Sequence, residues 1–409
     1  MNNKVFLHCD VNNFYASVAM VLDANLKDKP VAVSGSKELR RGIILAKSRQ
    51  AAEYGVRTGE TIWEAMSKCP ELILVPPVFD EYKRFSDMIY EIYKSYTPFV
   101  ESFGQDECWL DITEVVNSIE EGAKVADSIR KEVRKKTGGL TISIGVSFTK
   151  TFAKLGSDLK KTYGLTIIDK NNYKDVLYKL PVQSMIYVGR ATNNLLNKLN
   201  IFTIGDLAGA HDAIIINELG KNGGRLLSYA RGIETEGIKK SSEFSTHQSV
   251  GNGTTLPRDI KRLEDVKRVI YALSEMVAFR LRKYNMLCNG VSLTIKDNIF
   301  STKSKQVSLG FHTCSSSIIA DKAIEIFNSF YSFDTMLPIR AITVTSYDLI
   351  EDNQSIQLSF FDSNIMKSES LEKTIDDLRS KFGHDVLKRG TEIAYDVSTG
   401  EIIEDDVLK

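Results

Sequence analysis

The sequence predicts an α+β protein of several domains, on three observations. At 409 residues with 43% hydrophobic side chains, the chain is long enough to bury more than one core. Strand-like and helical periodicities alternate through the first part of the chain and again over residues 249–348. Between them, residues 171–235 read as helical, and a polar run at 239–248 reads as a linker.

Val5-Phe6-Leu7-His8-Cys9 is mostly apolar and reads as a buried strand, as does Val31-Ala32-Val33, closed by Ser34-Gly35-Ser36. Residues 14–22 between them read as a helix. Residues 43–68 carry helical spacing around the break Gly55-Val56-Arg57-Thr58-Gly59, and Pro70, Pro76 and Pro77 punctuate the next connection, so a small helical insert is predicted. A long helix is predicted from Phe79 to about Tyr96. Residues 99–103, a Gly104-Gln105 turn and residues 108–112 read as a hairpin. A helix over 118–136, a strand over 140–147 and a lysine-bearing helix to Lys161 come next. Glycine turns at Val188-Gly189 and at 220–224 divide the helical region. In the 249–348 module, strands at 291–295, 307–309 and 341–346 alternate with helices near 263–284 and 316–330. A last amphipathic helix carries Leu371, Ile375, Leu378 and Phe382 on one face, with Gly383 as its stop; no role is assigned to it.

Lys plus Arg equals Asp plus Glu, 53 of each, but the balance is uneven. Residues 351–409 hold 7 basic and 14 acidic side chains, which leaves a mildly basic body suited to a polyanion and an acidic tail. The five cysteines are scattered, with no CxxC pair for zinc or a disulfide framework, which points to a reduced cytoplasmic interior. No signal-length or membrane-length apolar run is present, so a soluble protein without a membrane partner is expected.

The chemistry-bearing residues are carboxylates. Asp10 ends the first strand, and Asp106-Glu107 sit at the hairpin turn. Nucleotidyl transfer needs convergent carboxylates, because two divalent cations must activate the attacking oxygen and clamp a triphosphate. An acidic pair at a turn is, taken alone, more often a solvated surface feature. Neighbours on a regular strand also face opposite ways, so Asp106 and Glu107 serve one site only where the turn distorts the backbone.

His8-Cys9-Asp10-Val11-Asn12-Asn13-Phe14-Tyr15-Ala16-Ser17-Val18 resembles the opening motif of Y-family DNA polymerases. Phe103-Gly104-Gln105-Asp106-Glu107-Cys108-Trp109-Leu110-Asp111 resembles the family's second metal motif. Gly145-Val146-Ser147, Phe152-Ala153-Lys154 and Ser157-Asp158-Leu159-Lys160-Lys161 together resemble the third. The resemblance runs nearly to residue 360 and is nearest to the bacterial polymerase IV branch.

It implies a right-hand polymerase: a ferredoxin-like palm (1–13 and 79–170), small fingers (14–78), a helix-hairpin-helix thumb (171–236), a linker (237–248), an α+β little finger (249–348) and an acidic tail (349–409). The implied activity is error-prone translesion synthesis from deoxynucleoside triphosphates on a primer–template, without proofreading, by a monomer. By the same resemblance Asp10, Asp106, Glu107 and the Val11 carbonyl would hold two Mg2+ ions, with Mn2+ as a substitute, Asp106 and Glu107 being the catalytic pair. Tyr15 would be the steric gate that rejects a 2′-hydroxyl, and Lys161 would meet the triphosphate as a point charge. Backbone N–H groups at Asn13 and Phe14, at a helix start, are placed to bind phosphate oxygens.

The chain departs from the family pattern at three places. Gly104 stands where a serine is usual, Thr162 where a proline is usual, and Arg49 and Ala52 where a tyrosine and an arginine usually reach the triphosphate. Arg49 is the candidate replacement for that pair. Tyr187-Val188-Gly189-Arg190, with the leucines after it and Thr203-Ile204-Gly205-Asp206-Leu207, reads as a helix-hairpin-helix, with Gly189 and Arg190 at a DNA phosphate. Arg258, Lys261, Arg262, Lys267, Arg268, Arg280, Arg282, Lys283, Lys296, Lys303 and Lys305 are the basic residues of the little finger, which would grip both DNA backbones. Gln357-Leu358-Ser359-Phe360-Phe361 resembles a sliding-clamp peptide, with Gln357, Leu358, Phe360 and Phe361 as anchors.

Overall fold

The computed structural model describes residues 4–36, 42–234, 237–238, 248–334, 336–352, 363–383, 386–387, 395–396 and 401–402. The expected clamp peptide, Gln357, Leu358, Phe360 and Phe361 included, lies outside the described residues, as does most of the expected linker. The chain divides into two compact units, one with elements from Phe6 to Ala230 and one with elements from Ser249 onward.

The first unit opens with β1 (Phe6–Val11) and α1 (Phe14–Leu22), then β2 (Val31–Ser34), β3 (Ile44–Lys47), α2 (Arg49–Glu53), α3 (Ile62–Lys68) and β4 (Ile73–Val75). It continues through α4 (Phe79–Lys94), β5 (Val100–Ser102), β6 (Glu107–Asp111), α5 (Ile119–Lys136), β7 (Ile142–Ser147), α6 (Lys150–Leu159) and β8 (Leu165–Ile168). The helices α7 (Tyr173–Leu177), α8 (Arg190–Lys198), α9 (Ile204–Gly209), α10 (Asp212–Leu219) and α11 (Lys221–Ala230) complete it.

Five strands form one sheet in the order β5-β6-β1-β7-β8, antiparallel except for the parallel β7–β8 pair. β1 is central and buried on both faces, which is why its sequence reads as a continuous run. Leu7, Cys9 and Val11 enter the core shared with α4 and α5. Phe6 packs on the other face with Trp109 of β6 and Ala153 of α6. Asp10 lies inside this strand rather than ending it.

The predicted helical insert is partly a sheet. Ile44–Lys47 pairs antiparallel to β2, and Ile73–Val75, hidden between prolines, pairs parallel to it, so one short strand joins two short helices over 43–68 and a second unexpected strand follows in the connection. Runs of three or four residues are too short to show a strand period against a helical one. The predicted turn at 220–224 is shorter as well: Gly220 ends α10, and Gly223 and Gly224 lie within α11.

α6 comes unusually close to the sheet because of one glycine. A Cβ on Gly145 of β7 would lie 1.9 Å from the Ala153 carbonyl and 2.6 Å from the Ser157 nitrogen. Trp109 Nε1 donates to the Lys150 carbonyl at 3.0 Å, tying the start of the same helix to β6.

The second unit comprises β9 (Ser249–Ile260), α12 (Leu263–Lys283), β10 (Met286–Asp297), β11 (Thr302–Thr313), α13 (Ser316–Phe330), β12 (Ile339–Glu351) and α14 (Ser363–Phe382). The sheet order is β11-β10-β12-β9, all antiparallel. Val291, Leu293, Ile295, Ile342 and Val344 form the core with α12 and α13, while Ser292, Thr294, Lys296, Thr343 and Thr345 alternate onto the other face.

Two sequence expectations are corrected by this unit. Leu371 and Phe382 of α14 are 61% and 68% exposed, and the helix instead turns a charged face inward, with Glu372 and Arg379 buried. Arg282 is not a free surface cation: its side chain is buried and pairs with Glu372 and Asp376, each at 2.5 Å.

Gly145→Ala is expected to lower the stability of the first unit by about 2 kcal/mol or more, because helix backbone rather than a side chain would have to move. Calorimetry reads this as an earlier unfolding transition; melting with the parent would show that α6 tolerates the shift.

Candidate active site

Strand periodicity brings the carboxylates together. With alternate residues of β1 in the α4–α5 core, Phe6, His8 and Asp10 face α6. The β1–β6 register sets Asp10 opposite Glu107 and His8 opposite Trp109, so Asp10 and Glu107 are cross-strand neighbours on one face. Asp106 precedes β6, in the bend after Gly104, whose φ of +85° is the left-handed conformation glycine adopts without strain. Its carbonyl accepts from the Val11 N–H at 3.0 Å. The bend supplies the distortion that lets Asp106 and Glu107 reach one cleft.

That cleft, of about 620 Å³, is lined by Asp10, Val11, Asn13, Phe14, Tyr15, Arg49, Asp106, Glu107 and Lys161, together with Leu45, Ala46, Lys47, Ala52, Thr58 and Thr162. Asn13 turns the chain from β1 into α1 with φ +50°, a conformation asparagine tolerates, and Asn13, Phe14 and Tyr15 at the start of α1 line the cleft. Tyr15 stacks on Tyr82 of α4 with ring centroids 4.0 Å apart.

α6 and the loop after it supply the counter-charges. Lys154 Nζ lies 2.9 Å from Glu107 Oε2, 3.2 Å from Asp158 Oδ1 and 3.6 Å from Asp10 Oδ2. Lys161, beyond the helix end, places Nζ 2.5 Å from Asp10 Oδ2 and 2.6 Å from Asp158 Oδ1. His8 is buried, with Nδ1 2.8 Å from Ser157 Oγ. Ser157 Oγ also lies 2.8 Å from the Lys154 carbonyl. Burial holds His8 below its usual range against the pull of Glu107, 3.3 Å from its Nε2, so Lys154 is the full positive charge facing that carboxylate.

The carboxylates titrate apart. Burial, reinforced by Asp10 and Glu107, pushes Asp106 up to about 6. Burial alone would also raise Glu107, but its contacts with His8 and Lys154 outweigh it and hold this group down to about 2. Asp10 is raised by burial against the pull of Lys161. Burial opposes the charge of Lys161, yet Asp10 and Asp158 hold it above the ordinary lysine range.

Hard oxygen donors of this kind suit Mg2+ or Mn2+. Among the described residues no three ligand-type side chains are already gathered into a metal cage. Lys154 bridges Asp10 and Glu107 instead, so the donors fit a hard cation in kind while a lysine neutralises them.

Arg49 lines the cleft, but its Nε pairs with Glu53 at 3.1 Å and its side chain is largely exposed. Gly189 and Arg190 stand outside the cleft, exposed at the start of α8. Sequence reasoning missed Lys47, which lines the cleft, and the roles of His8, Lys154 and Asp158 as its supports. Two signals were available: His8 is two residues before Asp10 and so shares its strand face, and Lys154 and Asp158 are one helical turn apart.

The chain is similar to known proteins. Residues 9–158 match the model of the impB/mucB/samB family, and residues 247–360 match that family's C-terminal domain. The chain is 44% identical over 389 residues to a DNA polymerase IV of Acetivibrio thermocellus, covering 95% of this chain and 97% of that one. It is 34% identical to DNA polymerase IV 1 of Halalkalibacterium halodurans, covering 95% and 94%. Among solved structures, a chimeric Y-family DNA polymerase aligns with a TM-score of 0.78 at 23% identity, covering 85% of this chain and 99% of that one. An insertion ternary complex of Dbh DNA polymerase aligns with a TM-score of 0.60 at 22% identity over the same shares. No described helix is long and apolar enough to cross a membrane.

The Asp106 shift has a consequence for stability. Between its ordinary value and about 6, the folded chain holds a proton that the unfolded chain releases, so this group's contribution is lost as pH rises through 6. In chelator, Asp106→Asn should therefore melt about 2–6 °C above the parent at pH 7.5, with the difference shrinking toward pH 5. Equal shifts at both pH values would remove the titration from the explanation.

Proposed function

The chain belongs to the impB/mucB/samB family and is a Y-family DNA-directed DNA polymerase, and from that premise we propose that it performs error-prone, lesion-tolerant synthesis by two-metal nucleotidyl transfer, without proofreading. One observation carries the reading: Asp10, Asp106 and Glu107 share a single cleft with Tyr15 and Lys161. In this reading residues 1–13 and 79–170 are the palm, 14–78 the fingers, 171–236 the thumb and 249–348 the little finger.

Divalent cations, two Mg2+ with Mn2+ as a substitute, would be held by Asp10, Asp106, Glu107 and the Val11 carbonyl, and would activate the primer 3′-hydroxyl and neutralise the triphosphate. The primer oxygen attacks the α-phosphorus in line and pyrophosphate leaves. Lys161 gives up its contact with Asp10 and turns to the triphosphate as a point charge. The first-turn N–H groups at Asn13 and Phe14 take phosphate oxygens. Tyr15, backed by Tyr82, forms a floor under the sugar that collides with a 2′-hydroxyl. Arg49 reaches the phosphates by leaving Glu53, in place of the tyrosine and arginine usual there.

Beyond the primer terminus, DNA would be held outside the cleft. A Cβ on Gly189 would meet nothing within 4 Å and its φ is −76°, so the fold itself does not require glycine there. That supports close approach of a phosphate, with Arg190 beside it. The basic residues of the second unit, Arg282 excepted, would grip the backbones. Gln357, Leu358, Phe360 and Phe361 would anchor a sliding clamp. A monomer in the cytoplasm fits the five free, buried cysteines.

Asp10→Ala and Asp106→Ala should each abolish nucleotide incorporation in primer extension while primer–template binding persists; substantial extension by either variant would remove the reading. Replacing Gln357, Leu358, Phe360 and Phe361 by Ala should leave distributive synthesis intact and remove stimulation by a loaded clamp. Undiminished stimulation would exclude the peptide as the clamp anchor.

A further inference from the structure

The Tyr15 ring is held at both ends. Its face stacks on Tyr82 of α4 at an interplanar angle of 11°, with Phe79 edge-on at 6.3 Å and Phe14 tilted at 5.6 Å. These contacts set the plane of the ring, and apolar stacking does not bond its hydroxyl. That hydroxyl donates to Gln105 Oε1 at 3.0 Å. Gln105 lies in the bend between Gly104 and Asp106, and its carbonyl accepts from Ser86 Oγ of α4 at 2.6 Å. The helix that backs the ring therefore also holds the residue that holds its hydroxyl.

We propose that Gln105 is a specificity-determining positioning residue: it pins the Tyr15 phenol and couples the turn bearing Asp106 to the ring that selects the sugar. The proposal rests on the reading of Tyr15 as the gate. A ring rejects a 2′-hydroxyl only as firmly as it resists displacement, and its hydroxyl end has Gln105 as the tether that resists. Without that bond the ring yields, and ribonucleotides gain more than deoxyribonucleotides, which never press on it.

The test is the ratio of kcat/KM for a deoxyribonucleotide to that for the matching ribonucleotide, opposite one template base. It is measured in the parent, Gln105→Met, Tyr15→Phe and the double variant, with Tyr15→Ala alongside. Methionine keeps the reach of glutamine and lacks its strong acceptor. Loss of one hydrogen bond should lower the ratio about three- to tenfold in each single variant. The double variant should fall no further than either single, because both changes delete the same bond. An unchanged ratio in Gln105→Met, or single effects that multiply in the double, overturns the proposal. If Tyr15→Ala collapses the ratio while Gln105→Met does not, the proposal fails and the gate stands. If Tyr15→Ala leaves the ratio unchanged, the gate reading itself fails.

Discussion

Like charges withdrawn from water on one face of a sheet must be neutralised, and the first unit is organised around that requirement. Asp10 and Glu107 are cross-strand neighbours, and Asp106 joins them from the adjoining bend. Lys154, Lys161 and Asp158 complete a network in which the charges alternate in sign. The network is compensated without being inert: among the described residues Asp106 has no lysine at ion-pair distance, and it is the carboxyl pushed up to about 6. A site of this kind sacrifices stability for poised charge.

The counter-charges are useful only at the right height above the sheet. Gly145 sets that height by letting the α6 backbone descend to where any Cβ would collide with it. Three contacts keep the helix there: Trp109 to the Lys150 carbonyl, His8 to Ser157, and Ala153 against Phe6. Lysines on a helix placed farther away would have to extend into solvent to reach the carboxylates, and their attraction would be screened. Packing and electrostatics are here one constraint.

The second unit uses charge differently. Buried Arg282 binds Glu372, Asp376 and the Cys314 carbonyl, while the Ser316 N–H and hydroxyl complete Glu372. Arg379 pairs with Glu275 of α12 at 3.0 Å. Buried ion pairs of this sort add little net stability but penalise any misaligned docking of α14, because each slip would strand a buried charge. Geometry of docking, more than affinity, is what they secure.

The sequence by itself determined the periodic elements and the chemistry of the cleft. Phe14–Leu22, Phe79–Lys94 and the 99–112 hairpin arise from local pattern, and the three acidic residues with Tyr15 and Lys161 are legible as motifs. Tertiary structure decided what local pattern cannot encode. Ile73–Val75 became a strand because β2 offers an edge beside it, and α14 buried its charged stripe because Arg282 and Glu275 wait opposite. Lys154 and Gln105 gained their roles from neighbours 47 and 90 residues away in the chain. Secondary structure and donor chemistry are properties of short stretches, whereas which face is buried and which charge is neutralised depend on the partner that the fold brings across from it.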